Sequence, residues 1–81
     1  MAKFVVCNYK SVRLHNGSYF NCPVNIDMCT SIKPNEEVSG YGHKYAVLTF
    51  YHGDVRTTWN YGENGIEERD KQFLEILNSN K

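Results

Sequence analysis

Six side chains in this chain have the chemistry to hold a soft metal or to act as nucleophile and base: Cys7, Cys22, Cys29, His15, His43 and His52. Zinc sites normally begin from a close Cys-x-x-Cys or His-x-x-x-His pair, which fixes two ligands on one turn. No such pair occurs here. Cys22 shares the alternation of Phe20 and Val24, where a thiol behaves as a small hydrophobe. No Gly-x-Ser-x-Gly elbow marks a nucleophile. A single sheet in 81 residues also leaves little volume for a pocket of roughly 300–1,000 Å³. The expectation is a protein that is not an enzyme, with no catalytic residue, no metal and no cofactor.

Two other groups of residues suit binding. The segment Ser39-Gly40-Tyr41-Gly42-His43-Lys44 combines glycines, which free backbone donors to point at an anion, with positive charge. Gly40, Gly42, His43 and Lys44 are therefore candidates for an anion or nucleotide. The segment is neither a P-loop nor a dinucleotide fingerprint, because a strand comes after it rather than a helix.

The second group comes from residues 45–61, which read as a β-hairpin. A two-residue turn around Gly53 puts Leu48 and Phe50 on the same side as Thr57, Trp59 and Tyr61. That side is a core. The opposite side carries Tyr45, Tyr51, Arg56, Thr58 and Asn60, with Val47 and Thr49 between them. Tyrosine and arginine with little net charge match the make-up of a protein interface. Stacking of nucleic-acid bases asks for a basic groove, and only Arg56 lies on this face, with Lys44 nearby.

Composition narrows the partners. Nine basic and nine acidic residues cancel, whereas a strong non-specific nucleic-acid binder shows a basic excess. Six tyrosines exceed what burial alone would select, since each buried hydroxyl needs a partner. Three cysteines do not make a disulfide framework, and a reducing cytoplasm is the simpler compartment. Met1-Ala2-Lys3-Phe4 carries no apolar run of a signal peptide, and no later segment is long enough to cross a membrane. Asn16-Gly17-Ser18 reads as a turn rather than a glycosylation site.

The elements that must position these groups are set by periodicity. Strands are expected at about 3–14, 18–28, 30–33, 45–51 and 55–61, a helix at about 65–78, and a mobile loop at 34–44. A bend or bulge is expected near 8–10. A three-residue loop ending at Gly17 would set Phe20 beside Val12. Alternation places Phe20, Cys22, Val24, Ile26 and Met28 inward. Asn64 with Glu67 has capping-box spacing, and Ile66, Phe73 and Leu77 share one helical line, with Arg69 and Asp70 inside the apolar sector. Residues 1–81 make one α+β domain, a small curved antiparallel sheet of four or five strands with one C-terminal helix on one face.

The run Val24-Asn25-Ile26-Asp27 through Ser31-Ile32, with the hairpin and Glu68-Arg69-Asp70-x-x-Phe73 after it, resembles small proteins of phages and bacterial mobile elements. The strand-rich N-terminus with one C-terminal helix is also similar to the coactivator-type fold that binds single-stranded DNA. This chain departs from that fold in lacking a basic sheet face. The functional expectation is a small cytoplasmic protein-binding module. It would act as a phage or mobile-element inhibitor of a host protein or defence complex by covering a surface. The second reading is capture of a nucleotide or short single strand, and the third is a homodimer.

Overall fold

The computed structural model describes residues 3–14 and 17–79. In chain order these form β1 (Phe4–Val5), β2 (Ser11–Leu14), β3 (Gly17–Phe20), β4 (Val24–Asn25), a 3-10 turn (Ile26–Met28), β5 (Ser31–Val38), β6 (Lys44–His52), β7 (Val55–Asn60) and α1 (Ile66–Ser79). The α+β class holds, but the antiparallel strands divide into three sheets. One is three-stranded in the order β5-β6-β7, and β1 pairs with β4 and β2 with β3.

The central hairpin has the expected register, with Leu48 opposite Trp59, Phe50 opposite Thr57 and His52 opposite Val55. Gly53 takes φ +65, and no non-glycine residue among those described has a positive φ. The two-residue Gly53-Asp54 turn is therefore of type II′, whose twist matches the strands it joins. Leu48, Phe50, Trp59 and Tyr61 are buried with Cys7, Val24, Ile26 and Ile76. Phe50 and Trp59 meet edge to face, centroids 4.5 Å apart.

Residues 31–38 form a full strand where a loop over 34–44 was expected, and only 39–43 remain as a loop. The reason is Pro34. Ala46 directs its N–H and C=O toward the chain after β7, so its strand neighbour Leu48, two residues on, does the same. Pro34 stands opposite Leu48, at a position where the ladder asks for no donor. A proline therefore fits this outer strand.

The N-terminal half departs further from expectation. The anticipated strand over 3–14 is broken by a bend at 8–10, where one was expected. The β2–β3 register sets Leu14 opposite Gly17 and Ser11 opposite Phe20, one step away from the register expected from a three-residue loop. Residues 15 and 16, His15 among them, lie outside the described residues. Tyr19 and Asn21 consequently turn inward, while Phe20 is 66% exposed and Cys22 is exposed. Met28 also points out.

Buried hydrogen bonding decides this inversion. The outer edge of β7 would otherwise leave the Asn60 peptide unpaired in the interior. The Asn21 side chain pairs with it as a strand would: Asn60 N–H donates to Asn21 Oδ1 at 2.8 Å, and Asn21 Nδ2 donates to Asn60 O at 3.0 Å. The same amide donates to the Tyr9 carbonyl. Tyr19 Oη donates to Thr58 O at 2.7 Å, and Trp59 Nε1 donates to Cys22 O at 2.6 Å. Segment 19–22 thus closes the edge with side chains and one carbonyl rather than as a fourth strand.

The helix shows the same priority. It packs on β6 and β5 through Arg69, Gln72, Phe73 and Ile76, and the expected line loses Ile66 and Leu77 to solvent. Gln72 accepts the Asn8 N–H at 2.9 Å and donates to Val6 O at 2.8 Å, and its oxygen also accepts Tyr61 Oη at 2.6 Å. Arg69 Nη1 donates to Asn35 O at 2.8 Å, and its other nitrogens hold Asp70. The first helical bond runs from Arg69 N–H to Gly65 O at 2.8 Å. Gly65 therefore takes the cap position anticipated for Asn64. Gly65 is needed there, because a Cβ would stand 2.1 Å from Tyr61 O.

Two predictions test these bonds. Asn21→Ala leaves a buried peptide unpaired and should cost about 3 kcal/mol in urea unfolding, since each such group loses its desolvation cost. A loss under about 1 kcal/mol would deny the amide this role. The second concerns pH. Burial, reinforced by its bond with Cys7, pushes the Tyr61 hydroxyl's pKa up, and burial likewise raises that of the Cys7 thiol. Both groups are held neutral by the fold, so their contribution is complete below the unfolded pKa and is lost as pH rises toward the folded one. The urea midpoint should therefore fall above about pH 9, and Tyr61→Phe should remove the part that begins near pH 10.

Candidate functional site

The hairpin face splits into a buried and an open part. Tyr45 is 6% exposed and Asn60 3% exposed. Neither belongs to an open surface, because the β2–β3 hairpin lies against them, with Leu14 and Tyr19 beside both. Thr58 and Tyr51 are half-buried, and Arg56 is exposed. Tyr51 stands opposite Arg56, and Lys33 Nζ lies 5.8 Å from the Tyr51 ring centroid. Of the five face residues, Tyr51 and Arg56 form the part with the most surface.

They sit at the β6–β7 end of the molecule, where sequence reading missed two neighbours. Val55 closes the turn opposite His52. Met28 lies in the segment leading to Thr30, whose N–H donates to Tyr51 O at 2.7 Å. Val55 is 63% and Met28 65% exposed. A large exposed side chain at a turn leaves no periodic trace, so only the folded packing reveals the pair. Between them, Cys29 Sγ lies 3.8 Å from His52 Nε2 and donates to Asn25 O at 3.5 Å. Burial raises the Cys29 thiol's pKa, which favours the protonated form. Among the described residues no three of His, Cys, Asp and Glu gather as a metal cluster.

The glycine loop lies at the other end, and three of its backbone donors are already used. Ser39 Oγ accepts the N–H groups of Tyr41 and His43, each at 3.2 Å, and Ser39 O accepts that of Gly42 at 3.0 Å. His43 Nδ1 is 2.9 Å from Glu63 Oε1. Around Gly40, Gly42, His43 and Lys44, the N–H groups of Tyr41, Gly42 and His43 thus turn to Ser39.

Beside this loop is a cleft of about 360 Å³ lined by Arg13, Leu14, Tyr45 and Glu63. A second, of about 160 Å³, shares Leu14 and Tyr45 and adds Tyr19, Glu37, Val38 and Asn60. The Tyr45 hydroxyl is buried without a hydrogen-bond partner among the described residues. Burial, with Glu37 adding to it, raises the Tyr19 hydroxyl's pKa.

The chain matches no protein-family model. No curated protein and no solved structure is significantly similar to it. Among the described residues no helix is long and apolar enough to cross a membrane.

The orphaned hydroxyl yields a prediction. Tyr45→Phe keeps the ring and removes an unpaired buried polar group, so the free protein should gain about 1 kcal/mol. Thermal unfolding checks it, and a lowered midpoint would show that the hydroxyl has a partner in solution.

Proposed function

We propose that this protein is a small non-enzymatic protein-binding module whose contact surface is the β6–β7 end, built on Tyr51 and Arg56 and extended by Met28, Val55 and Lys33. The observation that carries this reading is the exposure of Met28 and Val55, at 65% and 63%, the one next to Cys29 in the chain and the other opposite its contact partner His52. Apolar side chains beside tyrosine and arginine are what protein interfaces concentrate. The two-residue turn presents Val55, and the 3-10 turn presents Met28, on short connections, so little ordering entropy is lost on binding. Binding by surface occlusion needs no pocket and no cofactor. Inhibition of a host enzyme or defence complex in the cytoplasm, by a protein of a phage or mobile element, is a use that suits a domain of this size.

The experiment is capture of partners from host lysate on the tagged protein, with and without nuclease, alongside the folded Tyr51→Ala/Arg56→Ala variant. One partner retained through nuclease and weakened at least about 30-fold by the double substitution supports the reading, the magnitude expected of two anchor residues. Equal capture by the folded variant would move the surface elsewhere. Capture abolished by nuclease would replace a protein partner with nucleic acid.

A further inference from the structure

We propose that the cleft between the end of β2, the start of β6 and Glu63 is a binding site for a small monocarboxylate with an aromatic or branched body. Its place is the opposite end of the sheet from the protein-binding surface, and it does not depend on that surface.

Two independent observations point to a ligand. Tyr45, 6% exposed, lines both adjoining clefts, and its hydroxyl has no partner among the described residues. A buried hydroxyl without a hydrogen bond is costly, and a ligand oxygen would relieve it. Arg13 lines the larger cleft and makes no ion pair among the described residues. Its guanidinium offers paired donors in the geometry of a carboxylate. Tyr45, whose hydroxyl is orphaned, and Arg13, which makes no ion pair among the described residues, line the same cleft, and a hydroxyl with a guanidinium suits the two oxygens of a single carboxyl group.

Charge and volume restrict the rest of the ligand. Glu63 lines the same cleft and Glu37 the smaller one. Two carboxylates beside one guanidinium oppose every added negative charge, so a nucleotide polyphosphate is disfavoured most and a single carboxylate least. Leu14, Tyr19, Val38 and the Tyr45 ring supply the apolar wall for the body of the ligand. The larger cleft, about 360 Å³, lies at the small end of the range for ligand sites. The hydroxyl has almost no open surface, but Arg13 is an exposed side chain. Such a side chain changes rotamer on the picosecond to nanosecond scale and can move to admit an oxygen.

The test is a titration of the ¹⁵N-labelled protein with sodium phenylacetate at constant ionic strength, with phenylacetamide in parallel. Phenylacetate should give saturable amide shifts at Arg13, Leu14, Tyr45 and Glu63, and phenylacetamide should not. Arg13→Gln, at an exposed position, should keep the spectrum dispersed and weaken phenylacetate binding about tenfold or more. Acetyl-Gly-Gly-Phe carries the same end group on a chain, and its weaker binding assigns the free acid as the ligand. Tighter binding of that peptide overturns the free-acid assignment. Equal response to acid and amide, undiminished affinity in Arg13→Gln, or no saturable carboxylate-dependent shift overturns the site itself.

Discussion

The pairing of one side-chain amide with one backbone peptide organises this protein. Asn21 binds both the N–H and the C=O of Asn60 on the edge of the central sheet. Once that pairing is made, Tyr19 must face the sheet, Phe20 and Cys22 must face solvent, and the β2–β3 hairpin must lie against Tyr45. Gln72 repeats the device on the helix, pairing with the backbone at Val6 and Asn8. Both amides sit where a short, irregular N-terminal segment meets the regular sheet and helix. A segment with few ladder bonds has buried peptide groups to satisfy, and an uncharged side chain with a donor and an acceptor satisfies both at once.

This explains how much of the fold was legible in the sequence. The central hairpin was, because Leu48, Phe50, Trp59 and Tyr61 alternate strictly and Gly53 marks a two-residue turn. The 3-10 turn lies inside the strand expected over 18–28, and Asn25, whose Oδ1 accepts the Asp27 N–H, starts it. The helix was readable from its period, and so was the inward place of Arg69, but not its full rotation: hydrophobicity favoured the line through Ile66 and Leu77, whereas hydrogen bonding turned Gln72 inward. The strand at 31–38 was legible only as 30–33; its continuation was hidden by Pro34 and by the polar run after it, because an outer strand carries little apolar pattern. The slip at 19–22 has the same root. Periodicity counts apolar contacts and is blind to a buried amide.

The candidate sites obey the same division. Tyr51 and Arg56 were legible because both project from the regular hairpin, near the turn that fixes its register. Tyr45 and Asn60 lie at the other end of the same face, where the irregular N-terminal half covers them, and alternation alone did not reveal that cover. The Gly40–Lys44 loop carried the composition of an anion nest, but Ser39 takes up the N–H groups of Tyr41, Gly42 and His43. The molecule is left with two distinct ends: an exposed, partly apolar tip at the β6–β7 turn, and a cleft around Tyr45.

Native-state hydrogen exchange of the Asn60 amide tests the organising pairing most directly. Its N–H lies on a sheet edge with no further strand beside it, and its partner is the Asn21 side chain. If the amide pairing holds the edge closed, Asn60 exchanges only through global unfolding, at the rate of the Leu48 and Trp59 amides inside the sheet. Exchange as fast as that of Arg56, which points off the same edge beyond the reach of Asn21, would show the edge open and the account wrong.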